Sequence, residues 1–232
     1  MWRIGLALAL MAIFVLAALL NLGLVSIPGS GLAVARYQAA DVMAVANQTQ
    51  WSFDDVAEGA LPDGAEVLSQ PRFGGWAVRP ESDAPSPPNA LCQTGMAEYP
   101  SIALSADVFS DMVMSTRFKP ISGMVDRAAG LLFRIQDADN YYILRANALE
   151  GNVNFYKYAS GRRSLIAEGQ ASVASGQWQD LRVEVVGNQF RGFLNGQLVV
   201  EASDDAYAAG QPGLWTKADS VTCFDDVQIS PS

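Results

Sequence analysis

Five side chains able to hold a polar ligand are interleaved with apolar ones across residues 130–147: Arg134, Gln136, Tyr141, Arg145 and Asn147. Guanidinium and amide groups donate to hydroxyls or to a carboxylate, and a tyrosine ring beside them offers a flat apolar surface. Lys157 joins the set if Asn147 pairs with Val153, because that register puts Lys157 opposite Ile143 on the same face. The plainer reading is a solvated lattice in which carboxylates of neighbouring strands neutralise these cations. Trp215, Lys217 and Asp219 form a second group, in which the indole can stack on a sugar ring while the charged pair bonds its hydroxyls; the alternative is a core tryptophan. Phe53-Asp54-Asp55 and Phe224-Asp225-Asp226 repeat one motif at the two ends of the chain. Brought together, Asp54, Asp55, Asp225 and Asp226 would call for a hard cation such as calcium; left apart, they are turn-capping aspartates. The chain contains no histidine, which removes the usual base of nucleophilic triads and the usual nitrogen ligand of zinc.

These groups need strands to position them. If Asp137, Ala138, Asp139 and Asn140 form a four-residue turn, Gln136 pairs with Tyr141, Arg134 faces Ile143 and Leu132 faces Arg145. Leu131, Phe133, Ile135, Tyr142, Leu144 and Ala146 then line a core face, and Arg134 and Arg145 share the opposite one. Asn195-Gly196 is the strongest further hairpin signal, since both residues tolerate positive φ, and a second turn falls at Gly187-Asn188. Short apolar-alternating runs continue to residues 221–229, and none after the N-terminal segment carries a 3.6-residue apolar period. The fold class expected is all-β, a two-sheet antiparallel jelly-roll sandwich.

Half of the residues are apolar and 17% are charged, with a net charge of −9. That balance describes one folded domain and excludes nucleic acid and anionic lipid surfaces as partners. Arg3 precedes an apolar run over residues 4–27, long enough for a membrane-spanning helix and equally readable as a cleaved export signal. In both readings the domain is extracytoplasmic, periplasmic or secreted, and touches a membrane only through this segment. The organisation expected is a signal or anchor at 1–28, a tether at 29–49 and the sandwich at 50–231. Export permits a disulfide between Cys92 and Cys223, the only two cysteines, while the burial tendency of cysteine favours two free thiols on separate strands.

The ordered stretches FKPISG (118–123), AGLLFRIQDADNYYILRANALEGNV (129–153), SGQWQDLRV (175–183), FLNGQLV (193–199) and GLWTKADSVTCFDDVQI (213–229) resemble the 3-keto-disaccharide hydrolase-like family. The family lies in the concanavalin A-like lectin/glucanase superfamily, and the resemblance covers roughly residues 51–230. It implies a jelly roll whose ligand is a carbohydrate or keto-sugar. Related glucanases carry a Glu-x-Asp-x-(x)-Glu strand that aims two carboxylates at one glycosidic bond. This chain has no such run: Glu150, Glu168, Glu184 and Glu201 stand alone. The function expected is therefore an exported carbohydrate-recognition domain without a standard glycosidase pair. The alternative is a hydrolase or lyase of 3-keto-glycosides, since a ketone acidifies its α-hydrogen and one base then suffices. A structural envelope module that binds protein is the third reading.

Overall fold

The computed structural model describes residues 48–69 and 71–232. The apolar segment 4–27, with its expected helix, lies outside them, and no helix among the described residues is long and apolar enough to cross a membrane. The described chain forms β1 (Thr49–Trp51), β2 (Glu66–Ser69), β3 (Trp76–Pro80), β4 (Asn89–Gln93) and β5 (Ser101–Ala103). The long strands follow: β6 (Met112–Ser122), β7 (Ala128–Asp137), β8 (Asn140–Asn147), β9 (Asn152–Ala159) and β10 (Arg162–Gln170). Last come β11 (Gln179–Val186), β12 (Gln189–Leu194), β13 (Gln197–Ser203), β14 (Gln211–Trp215) and β15 (Val221–Pro231).

Every pairing is antiparallel, and the strands make two sheets, as the all-β reading requires. One runs β13-β12-β11-β6-β15-β4-β3 with β1 added on β15; the other runs β10-β9-β8-β7-β14-β5-β2. Alternation sends Met114, Phe118, Leu181, Val183, Phe190 and Phe224 from the first sheet against Leu131, Phe133, Tyr142, Leu144 and Phe155 from the second. Each such side chain contributes about 1.5–3 kcal/mol by leaving water. Phe133 sits at the centre, with ring centroids 5.0 Å from Phe190 and 5.3 Å from Tyr142. Asn195 and Gly196 both hold positive φ between the paired Leu194 and Gln197, the geometry of a two-residue hairpin turn.

The β7–β8 hairpin departs from the expected register. Its turn is tighter, with Asp137 paired to Asn140 and the Asp137 carboxylate accepting from the Asp139 N–H at 2.8 Å. A bulge follows: Arg134 has φ 52°, and beyond it Phe133 pairs with Tyr142 and Gly130 with Arg145. The extra residues turn Arg134 away from the face that Arg145 occupies and send Ile135 outward, so the two guanidinium groups do not share a face and Ile135 is not in the inter-sheet core. A one-residue difference in the next ladder has a similar effect. Asn147 pairs with Asn152 rather than Val153, which places Lys157 opposite Tyr142 and not Ile143.

Arg134 is 2% exposed and donates to the carbonyls of Ser110, Tyr207 and Gly187 at 2.7–3.1 Å, with its guanidinium over the Phe190 ring. Gly210 leaves room for the bulge, because a Cβ there would collide with the Arg134 backbone. Gly210→Ala should therefore lower stability by about 1–3 kcal/mol, read as a lower midpoint in thermal or urea melts.

Cys92 and Cys223 are directly opposite on β4 and β15 and are joined by a disulfide, which decides between the two cysteine readings. Near the start of the chain, Asp54 and Asp225 both grip Ser86: its Oγ donates to Asp54 at 2.8 Å and its N–H to Asp225 at 2.7 Å. Burial pushes the Asp225 carboxyl up to about 6, against the N–H groups of Ser86 and Asp226, and the Asp226 and Asp54 carboxylates add to the rise. A carboxyl raised in the folded state penalises folding when ionised, so stability should increase as pH falls from 7 through about 6. The melting temperature of the full chain should rise by about one degree over that interval and by a few degrees by about pH 5, and Asp225→Asn should remove this part of the pH dependence.

Candidate functional site

The outer face of the β10–β2 sheet is built from one strand parity. Tyr141, Ile143, Arg145 and Asn147 of β8 stand beside Tyr158, Tyr156, Asn154 and Asn152 of β9, while Gly130 of β7 lies between Arg145 and Trp215 of β14. The bare backbone of Gly130 leaves space for its neighbours, since a Cβ there would press to 3.2 Å from both Trp215 and the Ile143 methyl. Leu68 of β2 and Tyr99, from the loop before β5, pack over this surface.

The result is a continuous aromatic stack. Trp215 and Tyr99 lie parallel at 5.7 Å, Tyr99 meets Tyr158 edge-on at 5.5 Å, and Tyr158 stacks on Tyr141 at 4.8 Å. The Arg163 guanidinium caps it, 4.6 Å from the Tyr156 ring, 5.0 Å from Tyr99 and 5.9 Å from Trp215. One Arg163 nitrogen and the Trp215 indole N–H are buried without a hydrogen-bond partner. Beside the stack opens a pocket of about 210 Å³, walled by Tyr99, Tyr141, Tyr158 and Leu68, with Glu98 and Asp139 also lining it. Desolvation raises the phenols of Tyr99, Tyr141 and Tyr158 above their ordinary value; Glu98 adds to the rise at Tyr99, the neighbouring Tyr158 at Tyr141, and Asp139 at Tyr158. They remain protonated at neutral pH and serve as hydrogen-bonding groups and ring surfaces rather than as bases.

Of the residues singled out in the sequence, Tyr141 lines the pocket and Trp215 lies fully buried beneath Tyr99. The others hold the scaffold. Arg145 is 1% exposed and bonds Glu150 and Asn152, both at 2.7 Å, with its guanidinium over Tyr156. Glu150 is pushed up by burial, but Arg145 and Asn152 outweigh this and hold it below its ordinary value. The Asn147 carbonyl oxygen accepts from the Leu149 N–H, and its amide donates to Asp126 at 2.6 Å. Lys217 pairs with the same Asp126 at 2.6 Å. Asp219 accepts from the N–H groups of Met124, Val125 and Asp126, which together overcome its desolvation and lower its pKa. Gln136 donates to the carbonyls of Arg134 and Ala209, bracing the bulge. Lys157 pairs with Asp204 at 2.6 Å.

The four aspartates do not gather into a cation site. Asp54 and Asp225 spend their oxygens on Ser86, Asn89 and Asp226, and Asp55 is exposed. Among the described residues no group of three or more acidic or cysteine side chains is placed to hold a metal. Calcium takes six to eight oxygens, and the Asp54–Ser86–Asp225 clamp is a chain-fastening contact instead. Sequence reasoning missed Tyr99, Tyr158, Arg163, Glu98 and Asp139. Tyr158 and Arg163 carried a signal, since Tyr158 follows Lys157 on β9 and Arg163 pairs with it from β10; Glu98 and Asp139 lie in a loop and a turn, where spacing says nothing about direction.

The two-sheet antiparallel sandwich is of the concanavalin A-like class, and one of its outer faces carries the small aromatic pocket. The chain belongs to the 3-keto-α-glucoside-1,2-lyase-like domain family, which matches residues 72–230. Among solved structures it is similar to the carbohydrate-binding module CBM66 from Bacillus subtilis, with TM-score 0.60 and 26% identity over 72% of this chain and 95% of that one. A Bacillus licheniformis β-glucanase shares the fold, with TM-score 0.50 and 10% identity over 80% of this chain and 98% of that one. In sequence it is 30% identical over 136 residues to a levanase of Bacillus subtilis strain 168, covering 57% of this chain and 20% of the levanase. The chain thus spans about a fifth of that relative's length.

Arg145→Ala should behave as a structural lesion. It strips the counter-charge from the half-exposed Glu150, takes a donor from the Asn152 amide oxygen and leaves a cavity beside Tyr156, so the domain should lose about 2–4 kcal/mol and melt at a lower temperature.

Proposed function

We propose that the chain is an exported carbohydrate-recognition domain whose ligand rests on the outer face of the β10–β2 sheet. The observation that carries this reading is the Trp215–Tyr99–Tyr158–Tyr141 stack with its adjoining pocket, on a fold that it shares over most of its length with a carbohydrate-binding module. The half-exposed Tyr99 and Tyr158, backed by the buried Trp215 and Tyr141, can take the apolar C–H side of a sugar ring, while Arg163 and the carboxyls of Glu98 and Asp139 are placed to bond hydroxyls. Residues 4–27 direct export, and the Cys92–Cys223 disulfide suits an oxidising compartment.

A second reading follows from the family, whose description is that of a lyase on 3-keto-α-glucosides. Glu98 and Asp139 are the carboxyls in the pocket able to take an acidified ring proton, since the phenols there are held protonated. Turnover of a 3-keto-glucoside that is lost in Asp139→Asn or Glu98→Gln would favour this reading over pure recognition.

Calorimetric titration of the full chain, in mild detergent, with levan, β-glucan and their oligosaccharides tests recognition directly. Tyr158→Ala and Arg163→Ala should each weaken binding by about tenfold while leaving a cooperative melt. Unchanged affinity in both variants would place the ligand elsewhere.

A further inference from the structure

We infer that the pocket between Tyr99, Tyr141 and Tyr158 selects a sugar bearing a protonated amine. The inference rests on the carbohydrate reading above and narrows the class of ligand. Glu98 and Asp139 line the pocket, and neither forms an ion pair among the described residues. Elsewhere on this sheet face Arg145 is matched with Glu150 and Lys217 with Asp126, while Arg163 stands beside the pocket without an ion-pair partner among the described residues. The pocket therefore holds two negative charges that a ligand can complement. Its lining includes the half-exposed Tyr99 and Tyr158, and tyrosine rings attract cations through their quadrupoles.

The same aromatic cluster already stabilises one cation in this way. Arg163 lies over Tyr99, Tyr156 and Trp215 with no carboxylate within salt-bridge distance among the described residues. Tyr99 belongs both to that cage and to the pocket wall. An ammonium in the open pocket would lie beside the Tyr99 and Tyr158 rings and the Glu98 and Asp139 carboxylates, an aromatic and acidic lining suited to a small organic cation. A neutral hexose can bond the carboxylate oxygens but leaves their charge unmatched. A uronic acid would add a third negative charge, and an N-acetyl group removes the positive one while adding bulk to a space of about 210 Å³. The net charge of −9 favours approach of a cationic ligand over an anionic one.

The test is calorimetric titration of the full chain in mild detergent at about pH 6, where an alkylamine is protonated. The probes are glucosamine and galactosamine, with glucose, galactose and N-acetylglucosamine for comparison. At least one amino sugar should bind about tenfold more tightly than its neutral parent and its N-acetyl form, and the advantage should shrink as salt is raised. The double variant Glu98→Gln/Asp139→Asn changes exposed side chains, so its melt should match the parent's while the amine preference disappears. Equal affinity for amino and neutral sugars, or a preference that survives the double variant, overturns the inference. Neutral-sugar binding that Tyr158→Ala weakens would leave the carbohydrate reading standing in that case. Failure of every free sugar, levan and β-glucan to bind overturns both.

Discussion

A single buried guanidinium organises one end of the sandwich. Arg134 donates to carbonyls from three separate connections, at Ser110 before β6, at Gly187 in the β11–β12 turn and at Tyr207 before β14. A planar fork with five donors suits this work, since it can satisfy several carbonyls at once where an ammonium offers a point charge. Reaching them requires Arg134 to leave the strand alternation, which the bulge at φ 52° allows. The consequence passes along β7: Ile135 turns to the outer face and packs with Tyr141, Ile143 and Trp215. The floor of the outer aromatic surface thus depends on a contact made at the opposite side of the strand.

The outer face divides its labour between strands and connections. Arg145 on β8 is buried and Lys217 after β14 is half-buried, and a buried charge must be matched. Arg145 is accordingly committed to Glu150 and Asn152, and the Asp126 carboxylate is shared by Lys217 and Asn147. The groups free to meet a ligand come instead from a loop and a turn, Glu98 and Asp139, held in place by a rigid aromatic floor. Functional groups on connections above a packed scaffold are the usual arrangement for binding proteins.

Two fastenings keep the smaller strands in place. Cys92 and Cys223 lock β4 to β15, and the Asp54–Ser86–Asp225 clamp draws the segment after β1 and the loop before β4 onto β15. The clamp carries an electrostatic cost, because Asp225 is fully buried near two other carboxylates. Its oxygens are nonetheless bonded by the N–H groups of Ser86 and Asp226, which is why it is tolerated.

Local rules alone determined the all-β class, the β7–β8 and β12–β13 hairpins and most of the inter-sheet core. Alternation and turn residues act over a few neighbours, and Leu131, Phe133, Tyr142 and Leu144 are buried as their parity requires. The absence of histidine and of a paired-carboxylate strand is likewise a property of composition. Parity fails where a bulge or a one-residue slip intervenes, and both occur here, moving Arg134 and Lys157 off the face that alternation assigns them. Neither is encoded by a local signal: the bulge exists because carbonyls more than twenty residues away in sequence need a donor, and because Gly210 leaves room for it. Tertiary structure alone brought Tyr99, Tyr158, Arg163, Glu98 and Asp139 to one surface, since they come from two strands, a loop and a turn whose relative positions are set by packing rather than by spacing along the chain.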